Sequence, residues 1–520
     1  MTVMGPPGVY RAGTLAPGAN KGANQSQPTP CPRPIPSHHP DFRLPALPEN
    51  VDLWRWIKSQ PVRVRLSFLV LCLVRWTRAG AYALLIRNAA EQGESNADRK
   101  KDEQQANVRS LMAKSTVIAG AVALAAVSYS VAQSSNSSTL PGLPEGAVYI
   151  NPLDYNVLGP TSTWYSARNA SALVGFNPTY TAPPFIQVFD PAFLSALGPN
   201  AQIKQVAATP GYSIAHEAPI YVPELNVVFF SSNDGGPGGY SGWYNNSVVS
   251  YVNVSDIESA WAQGGEIDVP IHVLNLSDSV QMVNGGTGPY KGNLLLATSG
   301  RADLPSSIVT VNPYPPYNAT VLLDNFYGRQ FNSLNDLKVL PGTDIIYFTD
   351  PIYGWLNGFR PQPELPCQVY RLDPSTGQVR VVADQFYYPN GIAFTPDGRT
   401  AYVTDTGVSG GFLGSNDTYP ATIYQYDVDP ATGSFMNRRV FAYSDSGVPD
   451  GIQLDTLGNV YSGNGEGTHV WNSQGTLIGK FYLNSTTAEM IFTRSGLLIL
   501  DETSLYFANI TAQGLDLTTL

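Results

Sequence analysis

The sequence predicts an all-β chain whose body is a six-bladed β-propeller, preceded by a disordered N-terminal extension. Three observations lead there. The composition is rich in Gly (48), Pro (42) and Tyr (29) and only 13% charged, which suits short strands and tight turns better than long helices. An apolar run followed by small or polar residues recurs six times at intervals of roughly 40 to 70 residues, the length a four-stranded blade requires. No stretch of the repeated region sustains a helical period.

In chain order, residues 1–111 come first and differ in kind from the rest. They hold 15 Lys and Arg against 8 Asp and Glu, whereas the remainder holds 15 against 32. An acidic body repels nucleic acid and anionic membrane and is compatible with a hard cation, so nucleic acid is excluded as a partner. Residues 1–50, rich in Pro, Gly and Asn, are predicted to be disordered.

Residues 112–132 read as a secretory signal. Met112-Ala113-Lys114 is a short basic start, Val117 to Val127 is apolar but too short to span a bilayer, and Ser130-Val131-Ala132 offers the small residues of a cleavage site. A signal works from the start of a chain, so residues 1–111 read as a spurious extension upstream of Met112. The alternative is a full-length product with Leu66 to Val74 or residues 116–127 as an internal anchor. The mature protein is expected to be secreted and to carry no membrane span. Nine Asn-x-Ser/Thr patterns follow residue 133 and support export and glycosylation. Beyond residue 133 the single cysteine is Cys367, so neither an intrachain disulfide nor a cysteine zinc site is expected there.

Residues 133–204 are expected to approach and close the propeller, and residues 205–520 to form its six blades. The recurrent strands start at Val227, Leu294, Ile345, Ala401, Asn459 and Leu497 and are expected to be innermost. Turn pairs such as Lys291-Gly292, Asp397-Gly398 and Leu457-Gly458 lead into them.

The repeat also supplies a phase. About ten residues before each start stands an oxygen-bearing side chain: Glu217, Asn284, Asn335, Asn390 and Asp450. Equivalent positions of a propeller lie at equivalent radii, so these groups should ring one end of the axis. An all-oxygen set suits calcium or another hard divalent cation, whereas zinc favours His or Cys. Asn390-Gly391 and Asp450-Gly451 would also suit hairpin turns, but Asp397-Gly398 and Leu457-Gly458 already fill that role.

At these residues the chain resembles the senescence-marker-protein, gluconolactonase and luciferin-regenerating-enzyme superfamily, whose six-bladed propellers include calcium-dependent organophosphate hydrolases. The motifs are Leu334-Asn335-Asp336, Phe348-Thr349-Asp350-Pro351, Tyr353-Gly354, Pro389-Asn390-Gly391, Pro449-Asp450-Gly451 and Thr468-His469-Val470-Trp471. The resemblance implies that Glu217, Asn390 and Asp450 hold the metal and that Asn335 touches metal or substrate. Where the sugar-lactone enzymes carry Arg, two residues before that Asn, this chain has Ser333; Arg329 is the alternative for that space.

The resemblance implies a calcium-dependent lactonase or related esterase acting on a small-molecule lactone or ester, with the cation polarising the carbonyl and Asp450 as general base. His216 and His469 are alternative proton carriers. Tyr353, Arg329 and His469 are candidate substrate contacts. Two other readings stay open: hydrolysis of phosphotriester-like substrates on the same metal, and a non-catalytic, calcium-stabilised binding propeller. Neither the natural substrate nor the oligomeric state can be read from the sequence.

Overall fold

Each of the six recurrent apolar runs forms one strand, and each strand belongs to its own sheet. In the computed structural model, residues 140–515 are described, apart from 155, 158–175, 178 and 237. The expected N-terminal extension, the signal-like segment and the patterns at Asn136 and Asn169 lie outside the described residues.

Blade 1 contains Glu217–Val222, Val227–Ser231, Val249–Asn253 and His272–Val273. Blade 2 contains Val283–Tyr290, Asn293–Thr298, Ser307–Val311 and Ala319–Leu323. Leu337–Val339, Ile346–Asp350, Gln368–Asp373 and Gln378–Ala383 build blade 3, and Pro389–Phe394, Thr400–Asp405, Thr422–Val428 and Phe435–Tyr443 build blade 4. Blade 5 comprises Ile452–Leu454, Val460–Asn464, Gly467–Trp471 and Leu477–Tyr482, extended outwards by Phe185–Val188 and Val148–Tyr149. Blade 6 takes Glu489–Phe492, Leu497–Asp501 and Ser504–Asn509 from the C-terminal part, and its outer strand, Gln202–Ala208, from the N-terminal side. That last strand pairs antiparallel with Ser504–Asn509 and closes the ring. Closure joins the N-terminal and C-terminal parts of the ring and leaves each blade only a short outer edge; among the described residues no disulfide takes part.

One expectation needs correction: the recurrent strands are second in each blade, not innermost. The first strands of successive blades touch one another all the way round and line the axis. The second strands are covered on both faces and buried at every position in Val227–Ser231, Ile346–Asp350, Val460–Asn464 and Leu497–Asp501. Burial on both faces writes an unbroken apolar run, which stands out in sequence. The first strands crowd the axis, where side chains have little room. A Cβ added at Gly285 would lie 2.3 Å from the Asn335 carbonyl oxygen, and one at Gly391 would lie 2.6 Å from that of Asp450. Those strands therefore read Val-Asn-Gly-Gly and Pro-Asn-Gly, which resemble loops.

All first strands run from one end of the channel, here the upper end, to the other. The loops after the second strands consequently stand on the upper face. They are long in blades 1, 3 and 4, at 232–248, 351–367 and 406–421, but only two residues in blades 5 and 6. Between blades, buried aromatic side chains fill the wedges: Phe331, Phe348 and Tyr370 meet with centroids 5.3 to 5.4 Å apart. Each such side chain contributes about 1.5–3 kcal/mol by burial. Among the described residues no helix is long and apolar enough to cross a membrane.

Candidate functional site

Glu217, Asn284, Asn335, Asn390 and Asp450 stand at the upper starts of five successive first strands, as the repeat phase predicts. Local backbone aims them. The ladder of the first strand is bulged between Glu217 and Ile220, between Val283 and Gly286, and between Pro389 and Ile392. A bulge turns side chains out of the regular alternation, here at three of the five positions.

A repeated Thr-Asp pair at the top of the second strand fixes Asn335, Asn390 and Asp450. The Asp350 carboxylate accepts the backbone N–H groups of Asn332 and Ser333 at 3.1 and 2.9 Å, just before Asn335. Asp405 likewise accepts those of Tyr387 and Tyr388 at 3.0 and 2.9 Å, just before Asn390. The neighbouring threonines reach forward to the next blade: Thr349 donates to the Asn390 carbonyl at 2.7 Å and Thr404 to that of Asp450 at 2.9 Å. Blades 3 and 4 thus each hold their own connection and the next blade's axial residue.

The assembled cluster is dense in unpaired oxygen. Ligand atoms of His216, Glu217 and Asp450 all lie within 4.8 Å of one another. Asn284 Oδ1, Asn335 Oδ1, Asn390 Oδ1, Asp450 Oδ1 and Asp234 Oδ2 are buried without a hydrogen-bond partner. A buried oxygen left unsatisfied costs roughly 1–3 kcal/mol, so five of them gathered at one channel mouth call for a ligand. Burial, followed by the Asp450 charge, holds the Glu217 carboxyl well above its usual range. Burial also pushes Asp450 and Asp234 up to about 6 and, one layer down the channel, Glu489 up to about 8. Carboxylate and amide oxygens with this excess of buried acid fit a hard divalent cation.

Four groups beside the cluster, His216, Asn233, Asp234 and Glu502, stand outside the phase that marks the axial residues. His216 Nδ1 lies 2.8 Å from Glu502 Oε1, while its Nε2 is 3.9 Å from Glu217 Oε1. Burial would lower the imidazole pKa, but the Glu502 carboxylate overrides this and raises it to about 9. Asn233 donates to Glu502 Oε2 at 3.1 Å, and Asn284 donates to Asp234 at 3.0 Å. Asn233, Asp234 and Glu502 follow the second strands of blades 1 and 6, close to the phase of Asp350 and Asp405; that offset was the available signal.

The remaining candidates fall in different places. Tyr353 stands at the upper face, its hydroxyl on Thr406 Oγ1. Arg329 lies in an exposed hairpin whose Phe326 packs on Tyr370 of the third strand of blade 3, 5.2 Å between centroids, which sets it at the outer rim. His469 is fully buried in the third strand of blade 5, with Asp445 and Glu466 carboxylates 3.5 and 3.6 Å away. That second acidic group already holds a cation, since Lys480 Nζ lies 2.6 Å from Glu466 and 2.8 Å from Asp445. A cavity of about 180 Å³ opens at the lower end of the channel, lined by Ile220, Lys338, Phe394, Gln453 and Arg494, away from the oxygen cluster.

Comparison with known proteins places this geometry among relatives. Residues 284–500 match the SMP-30/Gluconolactonase/LRE-like region. Lactonohydrolase oryL of Aspergillus oryzae is 30% identical over 65% of this chain and 76% of its own length. Lactonohydrolase oryH of the same organism is 33% identical over 53% of this chain and 70% of its own. An X-ray structure of a protein provisionally called a gluconolactonase overlaps 64% of this chain and 99% of its own at TM-score 0.50 and 23% identity; at that identity the likeness shows the fold alone.

Proposed function

Since this chain belongs to the SMP-30/gluconolactonase/LRE-like family, we propose that it is a secreted lactone hydrolase dependent on a divalent cation, calcium first, held by Glu217, Asn335, Asn390 and Asp450. The observation that carries this reading is the set of buried, unpartnered oxygens converging at the upper mouth of the channel. The relatives called lactonohydrolases support the choice of substrate. A bound cation would polarise the lactone carbonyl and stabilise the negative charge that develops on water attack, a contribution of several kcal/mol.

The chain's own residues supply the rest. Asp450 has one oxygen without a hydrogen-bond partner and takes the proton of the attacking water. It returns that proton to the ring oxygen as the carbon–oxygen bond breaks, giving the open hydroxy acid. His216, oriented by Glu502, keeps positive charge beside the cluster and offsets part of its acidity. Asn335 and Asn390 present amide oxygens fixed by the Thr-Asp devices beneath them, so little reorganisation is needed during reaction.

Export belongs to the same proposal. It is supported by the signal-like 112–132 segment and by seven described sequon asparagines, none of them buried. Recovery from the culture medium, with a mass loss on deglycosylation, is expected. The catalytic reading is tested by assaying aliphatic, aromatic and sugar lactones, with a phosphotriester for comparison, in calcium and in excess chelator. Lactone hydrolysis that chelation abolishes and calcium restores is expected. Turnover of the phosphotriester alone, or hydrolysis indifferent to chelation, would refute it.

A further inference from the structure

Building on the lactone reading, we propose that the substrate carries an apolar chain or ring on its lactone, and that Tyr353, Tyr388, Trp355 and Phe412 form the wall that receives it. The wall is made by two upper loops that meet. The helical turn Tyr353–Leu356 of blade 3 packs on the turn Gly411–Leu413 of blade 4, so closely that a Cβ on Gly411 would fall 2.4 Å from the Leu356 carbonyl oxygen. Trp355 meets Phe412 edge-on at 4.9 Å, and Tyr353 meets Tyr388 at 5.5 Å.

This wall is continuous with the oxygen cluster at one end and with solvent at the other. At the inner end Tyr353 is half-buried: its hydroxyl rests on Thr406, two residues beyond the Thr404 that holds the Asp450 carbonyl, and its ring meets Tyr388, two residues before Asn390. The hydroxyl is committed to Thr406, so the ring, not the oxygen, is what Tyr353 offers a ligand. At the outer end Phe412 and Leu413 are each 61% exposed. Large apolar side chains held out in water beside a polar cluster indicate a binding surface.

Three polar side chains of the upper loops that could serve a polyhydroxylated lactone are already spent. Arg360 is tied by its guanidinium to the carbonyls of Ala302, Leu304, Phe331 and Asn332 and to Gln330 Oε1. Arg301 donates to Gln281 and to the Trp243 carbonyl. Ser333 Oγ donates to the Pro351 carbonyl at 3.0 Å and accepts the Gly354 N–H at 2.9 Å. The hydroxyl at this position therefore anchors the turn that carries Tyr353. With these three donors committed, a substrate hydroxyl gains no bond from them and is desolvated against the aromatic wall, whereas each added methylene on an apolar wall favours binding.

The test is kcat/KM of the full chain, in saturating calcium, for γ-butyro-, γ-hexa-, γ-octa- and γ-decalactone and for glucono-1,5-lactone. The expected result is a rise of about three- to fourfold per methylene until the wall is filled, with the longer alkyl lactones preferred over glucono-1,5-lactone. Trp355→Ala combined with Phe412→Ala should compress that chain-length slope toward one, and Phe412→Leu alone should keep most of it. A flat series, preference for glucono-1,5-lactone, or a parental slope in a folded double variant would overturn this proposal while leaving lactone hydrolysis in place. Failure to hydrolyse any lactone in calcium would overturn the lactone reading itself, and this proposal with it.

Discussion

Glu217 and Asp450 share the channel mouth, yet the chemistry asked of them differs. Glu217 is buried against Asp450 and His216 and serves as a ligand. Glu217→Gln keeps one oxygen and removes the charge, so calcium affinity should fall at least tenfold by calorimetric titration, with part of the activity returning at high calcium. Unchanged affinity would remove Glu217 from the site. Glu217, Asn390 and Asp450 were legible because each occupies the same phase of a repeat. Glu489 was not, since it appears once and nothing marks it apart from ordinary strand polarity; Asn233 and Glu502 offered only their offset just past the second strands of blades 1 and 6. His469 and Arg329 looked like contacts only through neighbouring motifs; burial in a third strand and placement at the outer rim separate them from the axis.

At the scale of the element, the first strand of each blade positions chemistry and the second holds it there. The second strands were readable because two-sided burial leaves an apolar run, while the first strands hid behind Gly, Pro and Asn that the crowded axis requires. The Thr-Asp pair explains how a short, bulged strand keeps a precise end. Asp405→Ala takes the acceptor from two part-buried backbone N–H groups in the connection into blade 4, at a cost of about 1–3 kcal/mol for one that water does not reach. We expect a lower urea midpoint together with weaker calcium binding, because Asn390 lies two residues beyond Tyr388. A parental midpoint would show that the connection does not depend on this carboxylate. Asp350→Ala should act alike on Asn335.

For the molecule as a whole, ring closure and buried acid set stability. Residues 202–208 supply the outer strand of blade 6, so a chain beginning at Gln133 is expected to fold and one beginning at Thr209 is not; equal cooperative melting of both would contradict closure from that side. The acid cluster gives a pH signature. Asp450, Asp234 and Glu489 have folded pKa values raised to about 6, 6 and 8, above their unfolded values. Their contribution is therefore fully present below about pH 4 and is lost as pH rises from there through 6 for the two aspartates and through 8 for Glu489. In chelator the melting temperature should fall across that window, and saturating calcium should flatten the slope. Identical slopes with and without calcium would mean that the cation does not sit among these acids.

The most direct measurement is the rate of lactone hydrolysis against free calcium for stripped full-length protein and for Asp450→Asn. The parent should rise from near zero along a single-site saturation curve. The variant, with its fold intact by melting, should plateau about a hundredfold or more lower, the loss expected when a general base is removed. A parent rate independent of calcium, or an Asp450→Asn plateau equal to the parent's, would contradict a cation-dependent hydrolase built on this axis.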